Sequence, residues 1–149
     1  MNTMVRPDMI FDGIEVRSKE EALKVISHLC AKKNVAREVL LFQAFQEREN
    51  MYSTGFGDGI AIPHARVRGL TEPVFALVRF AVPVEWEAVD GQPVDLAVVA
   101  VTPAEPEQDS HLPMLAMLAR KLMNEKFVEG LRLCRNRSQL YYYMMREMR

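Results

Sequence analysis

Two apolar runs restrict the folds open to this chain more than any other feature. Val74–Val82 and Val94–Val101 consist almost wholly of Val, Ala, Leu and Phe. A strand made from such a run has no face to offer water, so it belongs inside a sheet covered on both sides. Asp90-Gly91 lies between the runs as a turn signal. Helical spacing precedes and follows the pair. Ser18-Lys19-Glu20-Glu21 has the form of a capping box, and Ala22, Leu23, Ile26, Leu29 and Cys30 then recur at helical intervals until Lys32-Lys33-Asn34. Val35, Val39, Phe42 and Phe45 place a second helix over about 35–48. Ser110 can cap a helix bearing Leu112, Leu115, Leu118, Ala119 and Leu122, and two shorter helical patterns cover about 125–134 and 138–148. The expectation is a single α/β domain over residues 1–149, a sandwich of one mixed β-sheet flanked by helices on both faces.

Composition removes several classes of function. Nineteen Lys and Arg stand against twenty Asp and Glu, scattered rather than in blocks, so no nucleic-acid partner is expected. Met1 to Phe11 lacks the apolar core of a signal peptide, and no later stretch approaches the ~20 apolar residues of a membrane span. The expected location is cytoplasmic, without direct membrane insertion. Cys30 and Cys134 sit in no paired motif and are expected as free thiols. Gly55-Phe56-Gly57-Asp58-Gly59 lacks the spacing of a dinucleotide loop, and no G-x-x-x-x-G-K-[ST] occurs, so no ATP site and no cofactor are expected.

Chemistry concentrates between Arg48 and Arg66. Three glycines at alternate positions, Gly55, Gly57 and Gly59, place a loop over Ser53–Gly59. Ile60-Ala61-Ile62 then reads as a short buried strand, stopped by Pro63, that delivers His64 to the edge of the next loop. With a pKa near about 6.5, histidine is mostly free imidazole at neutral pH, and its unprotonated nitrogen can attack phosphorus. Phosphoryl transfer otherwise asks for positive charge and donors around three charged oxygens. Arg48 offers a permanent fork, the Gly55 loop can present backbone amides, and Ser53 and Thr54 add hydroxyls. His111, in the first turn of its helix, could donate to the same group. Each residue alone also has an ordinary reading: a surface histidine, an arginine complementing a helix end, an incidental histidine. His28, on a helix flank, has only that reading. A metal held by His64, His111 and a carboxylate is chemically conceivable, but no H-x-x-x-H pair or cysteine cluster supports one, and none is expected.

The run from Ser53 to Ala65 resembles the phosphorylation-site signature of the type 2 enzyme IIA family of the phosphotransferase sugar system, which spans fructose, mannitol and nitrogen-regulatory members. The Ser18–Ala22 helix start, Arg48-Glu49, the Trp86 region leading to Asp90-Gly91-Gln92-Pro93-Val94, the strand ending at Pro103, and His111-Leu112 follow in family order. The resemblance implies a mixed sheet flanked by helices and a phosphoacceptor histidine at His64, with Arg48 as the site arginine and His111 as the second site histidine. It also implies a phosphate donor, the histidine phosphocarrier protein, and a recipient, either a IIB domain or a regulatory target. The 149 residues hold no fused IIB, IIC or carrier domain, which suits a regulatory protein slightly better than a detached transport subunit. A further alternative is a non-catalytic binding module whose partner affinity is switched by the roughly −1.5 to −2 charges of a phosphate. The docking face is expected to be shallow and apolar around His64, with Phe56 and Ile62 either part of it or buried in the core.

Overall fold

The structure, a computed structural model, describes residues 6–105 and 112–148. In chain order its elements are β1 (Ile10–Ile14), α1 (Lys19–Lys32), α2 (Glu38–Met51), β2 (Gly55–Gly57), β3 (Ile60–Ala61), β4 (His64–Val67), β5 (Val74–Val84), β6 (Val94–Pro103), α3 (Leu112–Leu122), α4 (Glu125–Leu133) and α5 (Arg137–Glu147). The strands form one mixed six-stranded sheet in the order β1-β5-β6-β3-β2, with β4 also on β6.

The two apolar runs became β5 and β6, the central antiparallel pair. Side chains alternate across a strand, and β6 divides accordingly. Ala97, Val99 and Val101 join Leu23, Ile26, Leu41 and Phe45 in a core beneath α1 and α2. Leu96, Val98 and Ala100 join Leu118, Phe127, Leu131 and Leu140 in a second core beneath α3, α4 and α5. Both faces of the sheet are therefore covered, as the lack of polar alternation requires.

The other edge of β6 positions the site. β3 pairs parallel at its start, Ile60 with Leu96 and Ala61 with Ala97. β4 pairs parallel further along, from His64 with Ala100 to Val67 with Pro103. The register carries through unchanged, so residues 60–67 form one parallel edge, broken only around Pro63, which has no amide hydrogen to give. The carbonyl of Pro63 still accepts from the Ala100 amide at 2.9 Å.

Several boundaries differ from expectation. The capping box forms, with the Glu21 amide donating to Ser18 Oγ at 3.1 Å, but the Glu21 carboxylate reaches back to the Arg17 amide rather than to Ser18. α2 starts at Glu38 rather than Val35, because Asn34 takes a left-handed φ of 63° and Arg37 is extended, leaving Val35 and Ala36 to pack on the first core as a connection. The expected 53–59 loop contains β2, and its glycines turn the chain into an antiparallel hairpin with β3. β1 and β4 were not foreseen as strands. Each is short and has a parallel partner more than thirty residues away, a long-range pairing that local patterning does not reveal. The Ser110 cap lies outside the described residues. Cys30 is buried and Cys134 half-buried, both as free thiols.

Arg79 fastens the first strand and the C-terminal helices to the sheet. Its guanidinium donates through Nε and Nη2 to the two Asp12 oxygens at 2.7 and 2.8 Å, and through Nη1 to the Cys134 carbonyl at 2.6 Å. The bidentate bond to Arg79 holds the Asp12 carboxyl below its ordinary range. Ionised Asp12 is the favoured form in the folded protein. Its contribution is therefore complete above the unfolded-state pKa of about 3.9 and disappears as pH falls through the lowered native value. Asp12→Asn should cost about 2 kcal/mol at pH 7 by urea denaturation, and the gap between variant and wild type should close as pH falls below that of a free carboxyl.

α4 and α5 meet without room to spare. The Tyr143 hydroxyl donates to the Phe127 carbonyl at 2.9 Å, and the two rings stack with centroids 5.6 Å apart. A methyl on Gly130 would overlap the Tyr143 ring and hydroxyl. Gly130→Ala would ordinarily strengthen a helix by about 1 kcal/mol; here it should destabilise by about 1–3 kcal/mol through overpacking, measured by thermal unfolding.

Candidate functional site

β4 is an edge strand that alternates cleanly. Ala65 and Val67 are buried in the core beneath α1 and α2, so half-buried His64 and exposed Arg66 share the other side. The last turns of α2 meet this edge. There Ala44, Glu47, Arg48 and Met51 line a cavity of about 360 Å³ together with His64 and Arg66. The structure thus brings Arg48 and His64, two of the residues singled out from the sequence, to one opening.

Each of the two is held. His64 Nε2 lies 2.7 Å from Oγ1 of Thr102, whose side chain is fully buried in β6. A hydroxyl can donate or accept, so it can satisfy this ring nitrogen in either tautomer and fix the plane of the imidazole. Arg48 donates through Nη1 to the Tyr52 carbonyl at 2.8 Å and lies over the Tyr52 ring, 4.6 Å from its centroid. Stacking and one tether orient the fork while its other donors stay on the guanidinium for a ligand. Met51 and Tyr52, at 71% and 68% exposure, make an apolar rim beside the opening.

Ser53, Thr54 and Gly55, expected to support phosphate, have internal partners. Ser53 Oγ donates to the Trp86 carbonyl at 2.9 Å and accepts from the Gly55 amide at 3.0 Å. The Thr54 hydroxyl donates to Glu49 and accepts from the Trp86 indole at 3.1 Å, while its amide donates to the same carboxylate at 3.1 Å. Lys19 completes the cluster on Glu49, also at 3.1 Å. Gly55 presses so closely on Ala88 that a Cβ there would lie 2.6 Å from it. None of residues 53–59 lines the His64 cavity.

The hairpin tip is likewise pinned from within. Gly57, Asp58 and Gly59 all take positive φ, and the Asp58 amide donates to Asp90 at 2.9 Å. That bond, with another from the Gln92 amide, lowers the Asp90 pKa. Arg132 binds the Asp58 carbonyl and both oxygens of Asp95. The glycines therefore shape the turn that sets β3 on β6 and so aligns His64. Ile62 packs against the second core, and Phe56 is 37% exposed. His111 lies outside the described residues.

Thr102 and Arg66 are the residues that sequence reading passed over. Thr102 is the lone hydroxyl in the run from Val94 to Pro103, and a hydroxyl in so apolar a strand requires a buried partner. Arg66 is two residues beyond His64, a spacing that signals a shared side once 64–67 is known to be a strand. A larger cavity of about 640 Å³ lies elsewhere, around Asp58, Asp95 and Arg132, where Arg132 is already paired with the Asp95 carboxylate and bound to the Asp58 carbonyl. Among the described residues, no group of three or more His, Cys, Asp and Glu is placed to hold a metal ion. No helix among them is long and apolar enough to cross a membrane.

This architecture is that of an enzyme IIA domain. The crystal structure of nitrogen regulatory protein IIA-Ntr from Neisseria meningitidis superimposes with a TM-score of 0.85 at 28% identity, covering 93% of this chain and 94% of that one. Mannitol IIA in its complex with phosphorylated IIB from Escherichia coli shares the fold, with a TM-score of 0.77 at 18% identity over 96% and 98% of the chains. The nitrogen regulatory protein of Escherichia coli (strain K12) is 36% identical over 129 residues, 86% of this chain and 78% of its own. The profile of the family "Phosphoenolpyruvate-dependent sugar phosphotransferase system, EIIA 2" matches residues 3–146. The chain belongs to that family and is a phosphotransferase component of the IIA type.

The Glu49 cluster yields a test of its own. Thr54→Val removes one donor from a carboxylate only 5% exposed and the acceptor of a fully buried indole. It should lower stability by about 1–3 kcal/mol through these unsatisfied groups, measured by chemical denaturation.

Proposed function

We propose that His64 accepts a phosphoryl group from the histidine phosphocarrier protein and passes it to a second protein. The observation that carries this reading is an imidazole steadied by a buried hydroxyl at the mouth of a cavity that it shares with Arg48. The unprotonated ring nitrogen attacks phosphorus as the phosphorus–nitrogen bond of the donor histidine breaks. The donor nitrogen keeps the bonding electrons, and the PO₃ unit moves in line between the two rings. Charge spreads over three oxygens during that passage, where a fixed guanidinium is most useful. Arg48 supplies it, and His111 is the expected second site histidine. Ser53, Thr54 and Gly55 act at one remove, by shaping the hairpin that aligns His64. The exposed rim at Met51 and Tyr52 gives a partner protein apolar surface beside the reacting atoms.

The recipient in this reading is a IIB domain or a regulatory target, and the site of action is the cytoplasm. The mannitol complex with phosphorylated IIB supports the first recipient, and the relatives named as nitrogen regulatory proteins support the second. We favour the regulatory role, in which the phosphorylation state selects the partner, within a single domain over residues 1–149.

Incubation with phosphoenolpyruvate, enzyme I and the histidine phosphocarrier protein should add one phosphate to the wild-type mass and none to His64→Ala. A phosphate retained in His64→Ala would refute the assignment. Arg48→Ala should keep the fold and slow transfer by about 10²-fold, read by quench-flow. Partner affinity that is equal for the phosphorylated and free forms would remove the regulatory role and leave the carrier.

A further inference from the structure

Arg66 is not among the residues that the family resemblance assigned to the site, yet its placement gives it a part there. It follows His64 by two residues on the same side of β4, so their Cα atoms are about 6.6 Å apart. Both line the cavity of about 360 Å³, with Arg48 reaching in from α2. An arginine side chain spans such a gap easily. Arg48 meanwhile has Nη1 committed to the Tyr52 carbonyl and its plane fixed by the Tyr52 ring, which limits how many oxygens it can reach at once. A phosphoryl group has three oxygens and close to two negative charges.

Arg66 also forms part of the wall of a neighbouring cavity of about 580 Å³, where Arg68 is the other cation and Glu47 the acidic group. Among the described residues, the lining of the two openings carries Arg48, Arg66 and Arg68 against the single carboxylate of Glu47. An anion is the complementary occupant, and the opening that contains His64 is where this reading brings one.

We infer that Arg66 is a second phosphate-holding guanidinium, which binds the phosphoryl group on His64 from the strand side while Arg48 binds it from the helix side. The inference rests on His64 as the phosphate carrier. The transfer step is the one given above. Arg66 neither gains nor loses a proton in it but neutralises charge on the oxygens as the bond to the donor nitrogen breaks and the bond to His64 forms. A cation on an edge strand also discourages strand pairing between molecules, a role that any charged side chain fills. The test therefore includes Arg66→Lys, which keeps the charge and loses the fork.

Wild type, Arg66→Gln and Arg66→Lys would be mixed with the phosphorylated histidine phosphocarrier protein in single-turnover experiments, and the phosphoproteins titrated by ³¹P NMR. Arg66→Gln should lower the maximal transfer rate by about tenfold, below the 10²–10³-fold of a fully enclosed donor, with unchanged half-saturation by the carrier. Its phosphoryl resonance should titrate at higher pH, because a nearby cation favours the dianion. Arg66→Lys should fall between the two in rate. Wild-type rate and titration in Arg66→Gln would overturn the inference and leave His64 as carrier. A loss confined to half-saturation would overturn it in favour of partner docking. Wild type that takes no phosphate on His64 would overturn both.

Discussion

A strand buried on both faces must find every backbone partner inside the protein, and β6 meets that demand in a way that organises the rest. β5 takes one of its edges; β3 and β4 share the other in a single parallel register. That register places His64 opposite Ala100, two residues from Thr102, so that the Thr102 hydroxyl can meet the imidazole. Because a strand's side chains repeat every two residues, a slip of one would turn His64 into the core and Ala65 outward. The position of the imidazole thus depends on a ladder whose strength comes from apolar burial on either side.

The hairpin before β3 secures this register. Its turn uses left-handed backbone at three successive residues, and it is gripped from two directions by Asp90 and Arg132. Behind it, the Glu49 cluster ties the end of α2 to Thr54 and Trp86. Arg48 is adjacent in sequence to Glu49, so one anchor positions both the helix that bears the arginine and the hairpin that leads to the histidine. The tether of His64 to Thr102, and the apolar exposure of Met51 and Tyr52 beside it, suit the proposed transfer between proteins.

Much of this was legible in the residues. Unbroken apolar runs required a doubly covered sheet, and the spacing of Leu23 and Ile26, and of Phe42 and Phe45, indicated the two helices on one face, although the inward side of the second helix carries Leu41 and leaves Val39 62% exposed. Arg48 and His64 stood out because phosphoryl chemistry needs a nucleophile and a fixed cation. β1 and β4 escaped notice because their identity as strands comes from pairing with β5 and β6, and local composition says little about that. Ser53 and Thr54 were expected to serve a ligand because their hydroxyls lie near His64 in the chain. The fold instead turns those groups toward Glu49 and Trp86, which are partners only after α2 and the 86–90 segment have packed. Arg66 went unnoticed for the same reason as β4, since its side of the chain is undefined until the strand exists.

The most direct test of the account is a ³¹P–¹⁵N correlation spectrum of the phosphorylated protein with labelled histidine, because the chain has three imidazoles to choose among. The carrier role of His64 requires phosphorus coupled to one of its ring nitrogens. Coupling to His28 or His111 instead would contradict it.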